Sequence, residues 1–484
     1  MSKIIKQMNE KVLRKTAARC RERGIIIPAF AELRDPDTIP ASIRMKLPEI
    51  GMDEIHPLNL FRIGWKNDAA SGLYGPVNVL ELPAAVTGVK ARIIGLVGKH
   101  FPTGAHKVGA AFGCLVPRLV SGEFDPGVHK AVWPSTGNYC RGGAFDCALL
   151  GCRAVAILPE EMSRERFDWL RAVGAEVIAT PGCESNVKEI YDKCWELRAD
   201  PVFMIFNQFD EFGNPIYHYQ ITGPAAEETY QARGPERGRL AVFVSATGSA
   251  GTIAAGDFLK TLHPDLRIIA TEARQCPTLF LNGFGGHRIE GIGDKHVPWV
   301  HNVRNTDAVA AIDDEECLRL LRLFNEEAGR RYLQGLGLSE AECGSLSLLG
   351  ISSICNLLAA VKAARYFELG KDDVVLTIFT DSLELYRSRL EEMRRDKGAY
   401  REIDAARDHA AVIERQGTDW FKELGYYDRK ALHNLKYFTW VEQQGKTVEE
   451  LNALWEPGFW EEMFTAEIAE FERLIAVFNR EAGF

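Results

Sequence analysis

The sequence predicts an α/β protein with open, mostly parallel sheets and a helical extension at each end. Between about residues 61 and 395, eight short runs rich in Val, Ile, Ala and Phe alternate with longer stretches of helical periodicity. The runs are apolar almost without interruption, as strands buried on both faces must be, and parallel strands need the crossover helices between them. Outside those limits the alternation stops and charged helical text takes over.

Taken in order, residues 1–60 form an N-terminal extension. Its opening, MSKIIKQMNEKVLRKTAARC, is charged and lacks the apolar centre of a signal peptide, and Asp35-Pro36-Asp37 marks a loop. Strands are expected at ARIIGLV from Ala91, HKAVW from His129, RAVAIL from Arg153, AEVIAT from Ala175 and VFMIF from Val202. Three more follow: LAVFVSA from Leu240, RIIATEA from Arg267 and VVLTIF from Val374. After Asp396 no strand is expected. Residues 396–484 read as amphipathic helices, with Trp420, Phe421, Tyr426, Tyr427, Tyr437 and Phe438 docking them onto the core or across a dimer interface.

Composition narrows the function classes. The 484 residues are 46% hydrophobic and 26% charged, with a net charge of −9 and no basic block, which argues against a nucleic-acid surface. No apolar run is long enough for a membrane helix, so no membrane partner is expected. The eleven cysteines form no CxxC pair, so neither a metal centre nor a disulfide framework is indicated, and a reduced, cytoplasmic protein is expected.

Four segments carry the chemistry, each where a strand meets a helix, the place α/β proteins put their ligands. In Pro102-Thr103-Gly104-Ala105-His106-Lys107, a lysine flanked by small residues opens a helix; it is either a snorkelling surface lysine or a desolvated amine able to condense with an aldehyde. Ser135-Thr136-Gly137-Asn138 follows a strand with hydroxyls and backbone N–H groups suited to a carboxylate, and equally to a capped turn. Thr247-Gly248-Ser249-Ala250-Gly251-Thr252 lets the backbone close on a phosphate at a helix start; it lacks the GxGxxG spacing of a dinucleotide fold. Asp381-Ser382 ends the last strand, and either residue could cap the helix that follows.

In this order the segments resemble the cysteine synthase and tryptophan synthase β-subunit family, the fold-type II pyridoxal-phosphate (PLP) enzymes. Asn207-Gln208-Phe209, Ile289-Glu290-Gly291-Ile292-Gly293 and Gly350-Ile351-Ser352-Ser353 extend the resemblance across about residues 61–395. The resemblance implies a two-lobed catalytic domain with a smaller mobile lobe at about 115–220, and a homodimer. It implies Lys107 as the residue that carries PLP as a Schiff base and moves the Cα proton, Asn138 at the ring's 3′ oxygen and Ser382 at the ring nitrogen. Gly248, Ser249, Ala250, Gly251 and Thr252 would hold the phosphate, helped by His106. Ser135, Thr136, Gly137, Tyr139 and Gln208 would bind a small amino-acid substrate, with Gly291 at the mouth. The implied reaction is β-elimination or β-replacement on serine, cysteine or an activated serine through an aminoacrylate.

The sequence departs from the family at Tyr139-Cys140-Arg141, at Asp294-Lys295 and at Ile354. Arg141 and Asp294-Lys295 either read a polar substrate side chain or are surface residues or a structural ion pair. Cys140 and Cys147 read as buried small hydrophobes. The competing classes are a dehydratase of the same fold, a non-catalytic PLP-binding protein, and a nucleotide-dependent oxidoreductase.

Overall fold

The computed structural model describes residues 4–5, 7–183, 186–235, 238–293 and 295–484. A short hairpin, β1 (Asn67–Asp68) and β2 (Leu73–Tyr74), precedes the main strands. These are β3 (Val79–Leu82), β4 (Arg92–Val97), β5 (Lys130–Pro134), β6 (Arg153–Pro159), β7 (Glu176–Thr180) and β8 (Phe203–Ile205). There follow β9 (Arg239–Ala246), β10 (Arg267–Ala273), β11 (Ala308–Ile312), β12 (Asp373–Phe379) and β13 (Phe421–Glu423). All eight expected strands form. Two sheets result, one in the order β7-β6-β5-β8 and one in the order β13-β11-β10-β9-β12-β4-β3.

In the larger sheet β12 lies between β9 and β4 and is parallel to both, with Val374–Phe379 in register against Arg92–Val97. Strand order runs outward in opposite directions from this point, leaving a crevice at the carboxyl ends where the flanking loops part. The loops that leave β4, β9 and β12 are the lysine, Gly-rich and Asp381-Ser382 segments. The smaller sheet contributes the ends of β5 and β8, which carry Ser135–Asn138 and Gln208. The helix Lys107–Val120 packs against Gly213–Tyr217 so closely that a Cβ on Gly113 would lie 2.3 Å from the Gly213 carbonyl oxygen. Only glycine permits that approach, and it fixes where the helix that begins at Lys107 can sit.

One expectation needs correction: strand structure does not end before residue 396. Phe421–Glu423 adds β13 antiparallel to β11 at the sheet edge. Three residues with one charged, exposed end give no periodicity to read. Of the tail aromatics, Phe421 is buried and Trp420 packs on Phe280 at 5.3 Å, as docking requires. Tyr426, Tyr427 and Phe438 are instead 63%, 86% and 56% exposed. The tail also braces the core through polar contacts: Lys436 Nζ donates to the carbonyls of Trp299 and His301, and Trp440 Nε1 to that of Val297. The two extensions meet at Phe30, whose ring packs edge-on against Phe112 of the lysine helix, Tyr217 and Phe471. Among the described residues no single helix is long and apolar enough to cross a membrane.

Candidate active site

The carboxyl ends of both sheets close around a pocket with about 320 Å³ of unfilled space. It brings together Lys107, the loop residues Ser135, Thr136, Asn138 and Tyr139, and Gln208, with Gly248, Ser249 and Gly291 facing them. Phe209, Ile292 and Gly293 complete the wall; each was quoted in a motif but given no role. A wider cleft of about 1640 Å³, open to solvent, lies beyond Glu290; it contains none of the four chemistry-bearing segments, so the smaller pocket is the site.

Lys107 keeps part of its side chain open to the pocket while protein surrounds its amine. Burial disfavours the ammonium form and pulls the pKa down to about 8. Nζ donates to Ser249 Oγ at 3.2 Å. The same Oγ accepts from Asn214 Nδ2 at 3.0 Å, and Asn214 Nδ2 also reaches the Gln208 carbonyl at 2.9 Å. Gln208 Nε2 donates to Ser135 Oγ at 3.2 Å, and the Gly137 amide donates to that oxygen too. These hydrogen bonds link the lysine, through Ser249, Asn214 and Gln208, to the Ser135–Asn138 loop.

The Gly-rich loop turns back on itself before the helix Ile253–Leu262, with Ala250 held at φ +60°. A Cβ on Gly251 would lie 2.0 Å from Asn214 Oδ1, so the loop is a cradle that only glycine leaves open. Thr252 Oγ1 pairs with Ser245 Oγ. Gly248 and Ser249 line the pocket, whereas Ala250, Gly251 and Thr252 do not.

At the other end, Asn138 Nδ2 donates to Asp381 Oδ2 at 2.6 Å, and the Tyr386 hydroxyl donates to the same oxygen at 2.8 Å. Asn138 Oδ1 and Asp381 Oδ1 are buried without a hydrogen-bond partner among the described residues. Burial raises the Asp381 pKa, opposed by the Arg166 guanidinium and the hydrogen bonds from Asn138 and Tyr386. Ser382 is buried beside it, and its hydroxyl does not cap the turn Leu383–Leu385.

His106 directly precedes Lys107 at the helix start. Its ring stacks on Trp65 at 5.6 Å and meets His218 edge-on at 5.2 Å; burial pulls its pKa down to about 3, so it is neutral. Arg141 is neither a surface residue nor ion-paired among the described residues. It is buried with its guanidinium 4.6 Å from the Trp169 ring centre, Nε and Nη1 lack hydrogen bonds there, and burial pushes its pKa down to about 10. Lys295 is half-buried, and Asp294 lies outside the described residues. Cys140 and Cys147 are fully buried, and burial raises both thiol pKa values, as inert core cysteines require.

Sequence reasoning missed Asp381 as more than a cap, gave Glu290 no role within its motif, and missed Arg166 and Tyr386 altogether. Arg166 is buried against the Ser135–Asn138 loop and donates to the Thr136 carbonyl at 3.0 Å.

The model of the pyridoxal-phosphate dependent enzyme family matches residues 70–333, more than half of the chain. The chain belongs to that family. It is similar to the cysteine synthase of Staphylococcus aureus (strain Mu50), 29% identical over 322 residues that cover 66% of this chain and 96% of that protein. It is similar in structure to the O-acetylserine dependent cystathionine β-synthase of Helicobacter pylori, with a TM-score of 0.53 and 26% identity over 65% of this chain and 95% of that one. A cysteine synthase of Entamoeba histolytica shares the fold, with a TM-score of 0.57 at 21% identity over 70% and 94%. The protein is a PLP-dependent enzyme.

The residues present fit that cofactor. A buried amine of lowered pKa lines the same pocket as Gly248 and Ser249 of the Gly-rich loop, and Asn138 on the pocket wall keeps a buried Oδ1 without a hydrogen-bond partner among the described residues.

Proposed function

We propose that the protein catalyses β-replacement or β-elimination on a small amino acid of the serine type, as a cysteine synthase-like enzyme. The observation that carries this reading is the single hydrogen-bonded chain from Lys107 through Ser249, Asn214, Gln208 and Ser135. It places an amine and a loop of hydroxyls and backbone N–H groups on the wall of one pocket, where an amino acid can meet both.

Bound PLP supplies a conjugated ring that accepts electrons from the substrate Cα. Lys107 would hold its aldehyde carbon, residues 248–252 its phosphate, and Asn138, Asp381 and Ser382 the polar edge of its ring. The protein's own part is then orientation and proton handling. Ser135, Thr136, Gly137 and Gln208 hold the α-carboxylate through hydroxyl, backbone N–H and amide donors, which fixes the Cα. The Lys107 amine takes the Cα proton, and with a pKa near 8 it is competent as a base close to neutral pH. Asp381 is buried and faces two donors, so it holds Asn138 in one rotamer. Phe209 and Ile292 exclude water from the reacting side.

The test is a panel of O-acetyl-L-serine, L-serine and L-cysteine given to the holoenzyme with and without sulfide, reading cysteine, pyruvate and sulfide. Cysteine from O-acetyl-L-serine plus sulfide supports replacement, and pyruvate without an acceptor supports elimination. No product from any of the three refutes the reading.

The exposed Tyr426, Tyr427 and Phe438 support a homodimer formed through the C-terminal extension, which light scattering on the purified protein tests. Most of the eleven cysteines are buried thiols, which supports a reducing, cytoplasmic setting.

A further inference from the structure

Arg166, on the helix Arg164–Ala172, is fully buried, and its three nitrogens reach three different segments. Nη1 donates to the Thr136 carbonyl at 3.0 Å, Nη2 donates to the Tyr386 hydroxyl at 3.0 Å, and Nε lies 3.2 Å from Glu290 Oε2. Each contact leads into the pocket. Thr136 belongs to the carboxylate loop. The Tyr386 hydroxyl in turn donates a hydrogen bond to Asp381, which holds Asn138. Glu290 directly precedes the wall residue Gly291 and is gripped from the far side by Arg389 Nε at 2.6 Å.

The fit is tight at the loop. Gly137 has φ +151°, and a Cβ there would lie 1.8 Å from Arg166 Nη1, so only a glycine lets the loop lie this close to the guanidinium. Arg62 is the contrast within the same molecule. It too is fully buried, but its nitrogens bond the carbonyls of Leu47, Ile50 and Gly72, and none of these residues lines the pocket.

We propose that Arg166 is a positioning residue for the substrate carboxylate. By fixing the Thr136 carbonyl it turns the hydroxyls and backbone N–H groups of Ser135–Gly137 toward the pocket. Through Glu290 and Tyr386 it ties that loop to the larger sheet, so the carboxylate donors and the Lys107 amine keep one separation. A planar fork bridges three separated acceptors, and a lysine ammonium at the same place cannot. This inference rests on the reading that residues 135–137 and Gln208 hold the carboxylate.

The experiment compares holoenzyme variants R166M, R166K and E290Q with the loop variants S135A and Q208A. Binding of L-serine and of L-serinamide, which lacks the carboxylate, is followed by the change in cofactor absorbance, and cofactor content and Tm are measured on each variant. R166M is expected to weaken L-serine by ~10- to 100-fold, the range for hydrogen bonds to a charged group, and to leave L-serinamide within about threefold. R166K and E290Q should fall between R166M and the parent, which keeps the proposal open to refutation if R166M fails to fold. Equal weakening of both ligands would assign Arg166 a merely structural role. If S135A and Q208A abolish the preference for L-serine while all three Arg166-network variants keep it, the positioning role fails and the loop reading stands. If S135A and Q208A also keep the preference, the loop reading fails and takes this inference with it.

Discussion

The lowered pKa of Lys107 makes a quantitative prediction about cofactor capture. Only the neutral amine attacks an aldehyde, so the rate at which apoprotein takes up pyridoxal 5′-phosphate follows the neutral fraction. With burial pulling the pKa from 10.5 to about 8, about a tenth of the amine is neutral at pH 7. An unperturbed lysine would be neutral to only ~0.03%, a difference of roughly 300-fold. The rate, read by stopped-flow absorbance of the bound cofactor, should rise about tenfold per pH unit below 8 and level off above it. The stability of the apoprotein carries the same signature. Between pH 8 and 10.5 the folded chain binds fewer protons at this site than the unfolded chain, so the site's contribution to stability rises with pH through that window. A rate that climbs steadily to pH 10 would refute the burial argument, and so would a rate independent of pH.

Other perturbations follow from the same geometry. Gly251→Ala places a Cβ 2.0 Å from Asn214 Oδ1 and displaces the side chain that holds Ser249, so cofactor affinity should fall ~10-fold or more, at a cost of ~1–3 kcal/mol in stability; unchanged affinity in an absorbance titration would contradict this. Arg141→Met removes a buried cation that no carboxylate bonds among the described residues. The lost cation–π contact, about 0.5–2 kcal/mol, is smaller than the several kcal/mol released by not burying the charge, so Tm should hold or rise. A clear drop in Tm would show that Arg141 is satisfied by something else. His106, His287 and His301 have pKa values lowered by burial to about 3, 4 and 3, so below pH 6.5 the unfolded chain binds more protons and stability falls toward those values. At pH 5 the loss should be ~2 kcal/mol per histidine, visible as a Tm that declines from pH 7 to pH 5; a flat Tm over that range would contradict the burial of these rings.

The fold was legible wherever burial left a continuous apolar run. β9 and β12 are covered on both faces and read as strands from composition alone. β11, with the sequence AVAAI, has a helix-like alanine content, and β3, with VLEL, lies half-covered at an edge, so neither gave a usable signal. The pocket was legible in its loops because glycines and short hydroxyls mark backbone that must approach a ligand. The network behind the loops was not. Arg166 lies between Arg164 and Arg171 in a charged helix, and nothing local separates it from those exposed neighbours. Its partners Glu290 and Tyr386 are 124 and 220 residues away, brought near only by the packing of the two sheets. Asp381 shows the same limit: a carboxylate before a helical turn has the signature of a cap, and only the fold reveals that it faces Asn138 instead. The ring contacts of His106 with Trp65 and His218 likewise join residues far apart in the chain and left no local signal.

The central claim, that Lys107 carries the cofactor, has a direct measurement. The holoenzyme is treated with borohydride, which makes the link to the cofactor permanent, then digested and sequenced by mass spectrometry. The account predicts a phosphopyridoxyl group on the peptide containing Lys107, and loss of the label in Lys107→Ala. A label on any other lysine, or retained in that variant, would contradict it.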